Sequence, residues 1–278
     1  MEEVIQEELI EDIVLRHSGR GMDILRKEMK GDYAEEAAKM ILSWKKGVVF
    51  LATGFFVAGY AETDGPSGTV FLALALKKLG YRPVIVTDDF TRGFFELKDI
   101  DTVYMPFDEG EDWCRKVLEK YKPVGLISIE RCGKNSNRDY ANMRGVSIAE
   151  KTARVDLLFE QAFGKIPTIG VGDGGNEIGM GNVASLIAEK LSLVPCVVKT
   201  DLLVIATVSN WGAYAITAYL EKLSGKKVFM SYEEVRDYIE ETVKLGSVDG
   251  VLKEQIVSVD GFGMETEKEI IDALKEAV

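Results

Sequence analysis

Histidine and cysteine are scarce in this chain, and each scarcity narrows the chemistry available to it. Of 278 residues, one is histidine and three are cysteine. The histidine, His17, lies in Val14-Leu15-Arg16-His17-Ser18-Gly19, at the end of a helical pattern where a histidine ordinarily complements the helix dipole. A Ser-His-Asp or His-rich zinc mechanism would depend on that one residue. Acid–base work therefore falls to carboxylates, lysine or metal-bound water. Cys114, Cys132 and Cys196 have no metal-type spacing and an odd count, which predicts reduced thiols in a cytoplasmic setting.

Positive charge is also in deficit. Thirty-four Lys and Arg face 46 Asp and Glu, for a net charge of −12. That excludes nucleic acid as a partner, because phosphate backbones need a basic face. A small anionic, phosphorylated metabolite remains compatible, since a bound metal inverts the local sign of charge. No run approaches the roughly 18 apolar residues of a membrane span, and Met1-Glu2-Glu3-Val4 lacks the shape of a signal peptide. Abundant charge with little glutamine or histidine leans towards a thermophile. A homo-oligomer is compatible with this composition.

What the chain does have is a regular alternation. Val4-Ile5, Leu9-Ile10 and Ile13-Val14-Leu15 recur at helical spacing, as do Ala34, Ala37, Met40 and Ile41. Residues 1–46 thus read as a helical segment packed on a 47–278 α/β catalytic domain. Strands are predicted at Val48–Ala52, Val84–Thr87, Thr102–Met105, Val124–Ile129, Ile166–Val171 and Leu202–Thr207. Helices are predicted at Gly68–Leu79, Asp112–Lys120, Ala149–Ala162, Val183–Lys190 and Trp211–Leu220. The pattern implies a mostly parallel, Rossmann-like sheet with helices on both faces. Without repeats or a Pro/Ser linker, one compact unit is expected.

The richest stretch is Gly170-Val171-Gly172-Asp173-Gly174-Gly175-Asn176-Glu177-Ile178-Gly179-Met180-Gly181. It follows an apolar strand and carries two carboxylates and a carboxamide among six glycines. The G-x-G-x-x-G within it is a weak dinucleotide signal, because Asp173 would face a pyrophosphate. Other strand ends carry acids too: Glu62 and Asp64 after the first, Asp88 and Asp89 after the second, Glu130 after the fourth. In a parallel sheet these ends open on one edge, and crowded carboxylates call for a cation. Glu62, Asp64, Asp88, Asp89, Asp173, Asn176 and Glu177 are therefore candidate ligands for one or two Mn²⁺ or Mg²⁺ ions. Taken singly, Asp64 also reads as the cap of the helix that follows it.

Basic residues gather in Glu130-Arg131-Cys132-Gly133-Lys134-Asn135-Ser136-Asn137-Arg138 and in Asn142-Met143-Arg144-Gly145. Arg131, Lys134 and Arg144 make a candidate anion clamp, with Glu130 and Asn210 as further catalytic candidates. Cys132 and Arg138 match the C-x5-R phosphate loop of cysteine-dependent phosphatases, a spacing of low specificity that here lacks the usual preceding histidine.

Thr53-Gly54-Phe55, Glu62-Thr63-Asp64-Gly65-Pro66, Ser128-Ile129-Glu130-Arg131, Asn142-Met143-Arg144-Gly145, the Gly172–Gly181 run and Asn210-Trp211-Gly212 together resemble the D-glutamate cyclase C-terminal-domain family, from about residue 45 to 265. The resemblance implies an α/β fold and a site built from these blocks. Three functions follow as expectations. The first is metal-dependent, phosphatase-like hydrolysis of a small phosphorylated metabolite by metal-activated water. The alternative, which the resemblance implies, is cyclisation of D-glutamate to 5-oxo-D-proline with loss of water. The last is a non-catalytic metal- or metabolite-binding module.

Overall fold

The computed structural model describes residues 8–29, 31–191 and 193–278; the helical pattern at Val4-Ile5 lies outside them. All six predicted strands form: β1 (Val48–Ala52), β2 (Arg82–Thr87), β3 (Asp101–Tyr104), β4 (Gly125–Ile129), β5 (Thr168–Gly172) and β6 (Leu202–Ile205). They pair in parallel in the order β3-β2-β1-β4-β5-β6. The inner strands β4 and β5 are buried at every residue. This explains why they appear in sequence as continuous apolar runs rather than alternating ones. The strand order reverses between β1 and β4. In doubly wound sheets, the crevice beyond the carboxyl ends at such a point is where ligands bind.

Helices surround the sheet. Tyr33–Ser43 and Pro66–Lys78 both pack against Ser209–Ser224, the longest helix described. Pro66 opens its helix at a position that needs no amide hydrogen. Gly68 allows close approach: a Cβ there would lie 2.8 Å from Asn210 Cα and 2.9 Å from Ala213 Cβ. One apolar cluster runs from Ile10 to Leu274 and takes in helix Met264–Glu276.

One predicted helix is interrupted. Instead of running from Ala149 to Ala162, the chain makes a 3-10 turn at Ala149–Lys151, and the helix begins at Asp156. Between them Ala153 gives its carbonyl to Arg131 Nη2 at 2.7 Å and its amide to Asp88 Oδ2 at 3.4 Å. A helix through this segment would take both groups away from those partners.

The core also holds an acid. Glu267 is fully enclosed and accepts hydrogen bonds from Trp211 Nε1 at 2.6 Å and Tyr214 OH at 3.0 Å. Burial raises its pKa from 4.5 to about 7, against the pull of those two donors. The folded state therefore binds more protons than the unfolded chain between those values. Stability falls as pH rises through that window. Unfolding free energies from urea titrations should fall between pH 4.5 and pH 7, and Glu267→Gln should reduce that fall by roughly 2–3 kcal/mol. Equal slopes for the two proteins would refute the assignment.

Candidate active site

Two helix starts meet at the strand ends and cap one another. Asp64, in the loop before helix Pro66–Lys78, accepts Ser209 N at 2.9 Å and Asn210 N at 2.8 Å. Asn210, at the start of the other helix, accepts Gly65 N at 2.9 Å and Gly68 N at 2.7 Å, and donates to Thr63 O at 3.1 Å. Each residue thus satisfies orphan amides of the opposite helix. Asp64 is a cap, as its position suggested, but of a helix about 145 residues further along. Both positive helix ends then point at the acids described next.

Six buried carboxylates gather here: Glu62, Asp64, Glu130, Asp173, Glu177 and Asp260. Asp64, Asp173 and Asp260 bring carboxylate oxygens within 4.8 Å of one another, and so do Glu130, Asp173 and Glu177. Arg20 bonds Asp173 at 2.9 Å and also holds Asp260 and the Thr207 carbonyl. Its guanidinium stays charged because Asp173, Asp260 and Glu130 outweigh its burial. Burial, then neighbouring carboxylates, pushes Glu62 and Glu130 well above the usual range. Asp173 moves the same way by burial despite Arg20, and Asp64 rises to about 7. Asp173 Oδ1 and Asn176 Oδ1 are buried without a hydrogen-bond partner.

Strain accompanies the crowding. Glu130 and Asp260 adopt left-handed backbone at φ 46° and 53°, a conformation costly for any residue with a Cβ and frequent at functional sites. Ser209 Oγ donates to Glu130 at 2.5 Å. The loop before Asp260 is braced by Asp249, which accepts Ser258 Oγ at 2.6 Å and Gly261 N at 2.8 Å.

The other sequence candidates have different placements. Glu177 folds back on its own loop and accepts Gly174 N and Gly175 N, both at 2.7 Å. Gly170 permits that curl, since a Cβ there would lie 2.5 Å from the Ile178 carbonyl oxygen. Asn176 donates to Ala141 O at 2.9 Å. Asp88 pairs with buried Arg131 at 2.7 Å, and Arg131 also donates to Gly54 O at 2.7 Å. Asp89 is exposed beside Arg92, Lys134 pairs with Glu160 at 2.6 Å, and His17 meets Glu269 at 3.0 Å. Cys132 is buried, and burial raises its thiol pKa well above the ordinary value, so it is not a poised nucleophile. Arg20, Ser209 and Asp260 had not been singled out. A charged residue between two glycines (Gly19-Arg20-Gly21) and an Asp-Gly turn (Asp260-Gly261) were the available signals.

A cavity of about 530 Å³ opens over this cluster. Glu62, Glu130, Asn176 and Asp260 line its buried part, and exposed Arg144 and Lys253 lie at its mouth with Arg20 nearby. The arrangement is an acid-floored crevice at the switch point of a doubly wound sheet. A family model described as D-glutamate cyclase-like, C-terminal, matches residues 10–275, and the chain belongs to that family. The D-glutamate cyclase, mitochondrial, of Homo sapiens is 41% identical over 194 residues, 62% of this chain and 31% of that protein. The chain thus spans about a third of that relative's length. Among solved structures, an exopolyphosphatase-related protein from Bacteroides fragilis aligns with a TM-score of 0.40 at 11% identity, over 90% of this chain and 58% of that one. That likeness is too distant to bear on chemistry. No helix among the described residues is long and apolar enough to cross a membrane.

These matches overturn the expected phosphatase-like hydrolysis, because family and relative are both of the cyclase kind. The structure supplies a physical reason. Arg131 and Lys134, expected to grip a phosphoryl group, are engaged by Asp88 and Glu160.

Asn210→Leu keeps the shape of the side chain but leaves the buried Gly68 amide and Thr63 carbonyl unpaired, while Gly65 N keeps Asp64 as an acceptor. It should lower stability by about 3 kcal/mol or more, measured by urea unfolding. A loss below about 1 kcal/mol would mean that water replaces the side chain in capping the helix.

Proposed function

We propose that this chain closes D-glutamate into 5-oxo-D-proline, releasing water. The observation that carries the reading is the polarity of the cavity, with carboxyl groups buried at its floor and cations at its mouth. A glutamate zwitterion has the complementary polarity, one ammonium and two carboxylates. Family membership supports the same reaction.

Ring closure requires two proton movements. The α-ammonium must lose a proton before its nitrogen can attack the carbon of the side-chain carboxyl group, and an oxygen of that carboxyl must gain protons to leave as water. Glu62, Glu130 and Asp260 line the floor where the ammonium would sit, and an ionised carboxylate there takes its proton. A carboxyl whose pKa has been pushed up by burial is also a donor near neutral pH, which suits Glu130, held by Ser209. Arg144 and Lys253 at the mouth pair with the substrate α-carboxylate and orient it, while Arg20 stays engaged by Asp173 and Asp260. Burial of Glu62, Glu130 and Asp260 keeps bulk water from the floor and strengthens pairing with the ammonium there.

The acids also fit a hard divalent cation. Asp173 has a buried oxygen without a partner, and carboxylate oxygens suit Mn²⁺ or Mg²⁺. Asp173, Asp64 and Asp260 would hold one such ion, which leaves Glu62 and Glu130 free for proton transfer. Such an ion supplies Lewis acidity towards the substrate's carboxylate oxygens.

Two experiments test this reading. The purified chain, with D- or L-glutamate and Mn²⁺ or Mg²⁺, should yield 5-oxo-D-proline from the D-enantiomer by chiral chromatography. Glu130→Gln should reduce kcat by about 10²-fold or more. No turnover of D-glutamate with either metal would sink the reading. Separately, Mn²⁺ titrated calorimetrically should bind the wild-type protein and lose at least about tenfold in affinity in Asp173→Asn. Equal affinity in the two proteins would place the ion elsewhere.

A further inference from the structure

The cavity is larger and more apolar than D-glutamate requires. Its volume of about 530 Å³ falls within the range of about 300–1,000 Å³ for pockets that enclose drug-sized ligands. The acid floor and cationic mouth account for the polar groups of a five-carbon amino acid. They leave without a counterpart the side formed by Phe56, Val57, Met143, Val146, Ile148 and Val251. Phe56, Val57 and Ile148 belong to a small apolar cluster separate from the main core, so this side is preformed. Met143, Val146 and Val251 are 38%, 58% and 51% exposed. Apolar side chains left uncovered around one cavity mouth are relieved by an apolar ligand group.

The position of that group follows from the ring closure. The α-amine must be free to attack, and the α-carboxylate is what the cations at the mouth hold. A substituent on the side-chain carbonyl disturbs neither, and it is placed where ring closure expels it. We propose that the site also accepts γ-D-glutamyl amides of apolar or aromatic amines and closes the same ring on them. The α-nitrogen bonds to the γ-carbonyl carbon, the amide C–N bond breaks, and the proton lost by the α-nitrogen leaves on the departing amine. The products are 5-oxo-D-proline and the free amine; water is neither consumed nor released. The inference rests on the cyclisation reading and extends it to a carbonyl that carries no negative charge to repel the attacking nitrogen.

The 278-residue chain, supplied with Mn²⁺ or Mg²⁺, is given γ-D-glutamyl-p-nitroanilide and, in parallel, D-glutamate. Coloured p-nitroaniline should appear in equal amount with 5-oxo-D-proline. Val146→Ser, at an exposed position, should raise KM for the anilide by roughly tenfold relative to KM for D-glutamate. Turnover of D-glutamate with an inert anilide overturns the amide inference and leaves cyclisation standing. Release of p-nitroaniline with D-glutamate as co-product is hydrolysis and also overturns it. Inertness towards both substrates overturns both readings. Turnover of the anilide alone upholds the amide activity and removes the free acid as substrate.

Discussion

The crossed capping of two helix starts by Asp64 and Asn210 is the constraint on which the site depends. Asp64 accepts Gly65 N at the start of its own helix, but its other two amide partners, and both of Asn210's, belong to the opposite helix start, so each start depends on the other. The arrangement fixes where the two helices cross, and Gly68 lets them come close enough for it to form. It also aims two helix N-termini at the acids. Partial positive charge at helix starts is worth a fraction of a kcal/mol to about 2 kcal/mol per terminus. That is modest against the repulsion among six buried carboxylates, so the capping offsets only part of the imbalance.

The rest must come from protons, Arg20 or a metal. Removing a carboxylate from water costs several kcal/mol unless it is paired, and the raised pKa values of Glu62, Glu130 and Asp173 express that cost. Left-handed backbone at Glu130 and Asp260 adds strain of order 1–3 kcal/mol each. A surface optimised for stability would hold neither the acids nor the strained residues. Both belong to a site prepared for a ligand that brings positive charge or accepts protons.

Much of the sheet was legible in the sequence, because strands buried on both faces show as unbroken apolar runs that local composition reveals. The same logic placed Glu130 and Asp173 at the carboxyl edge, since each directly follows a buried strand, whereas Glu62 and Asp64 reach it only after the short hairpin Phe56–Val57 and Tyr60–Ala61 that follows β1. It failed where side chains turn away from the edge they sit on. Asp89 follows a strand but faces solvent, while Asp88 and Arg131 consume one another's charge. The interruption at Thr152–Arg154 was hidden because its cause, the reach of Asp88 and Arg131, is tertiary. Arg20 and Asp260 escaped for the same reason: Asp260 sits in the turn of a small hairpin, Ser258–Val259 with Phe262–Gly263, apart from the main sheet, and only the folded chain brings it to Arg20.

That pairing has a consequence for how the protein is made. Arg20 and Asp260 are 240 residues apart in sequence and touch across the finished site. A chain emerging from a ribosome at about 5–20 residues per second can pair most of the sheet long before Asp260 has been synthesised. During that interval Asp64 and Asp173 lack the third carboxylate of their cluster and half of the clamp around Arg20. The crevice therefore gains its full charge pattern only as the last part of the chain docks. The acids come into closest mutual repulsion after the hydrophobic core that restrains them has largely formed.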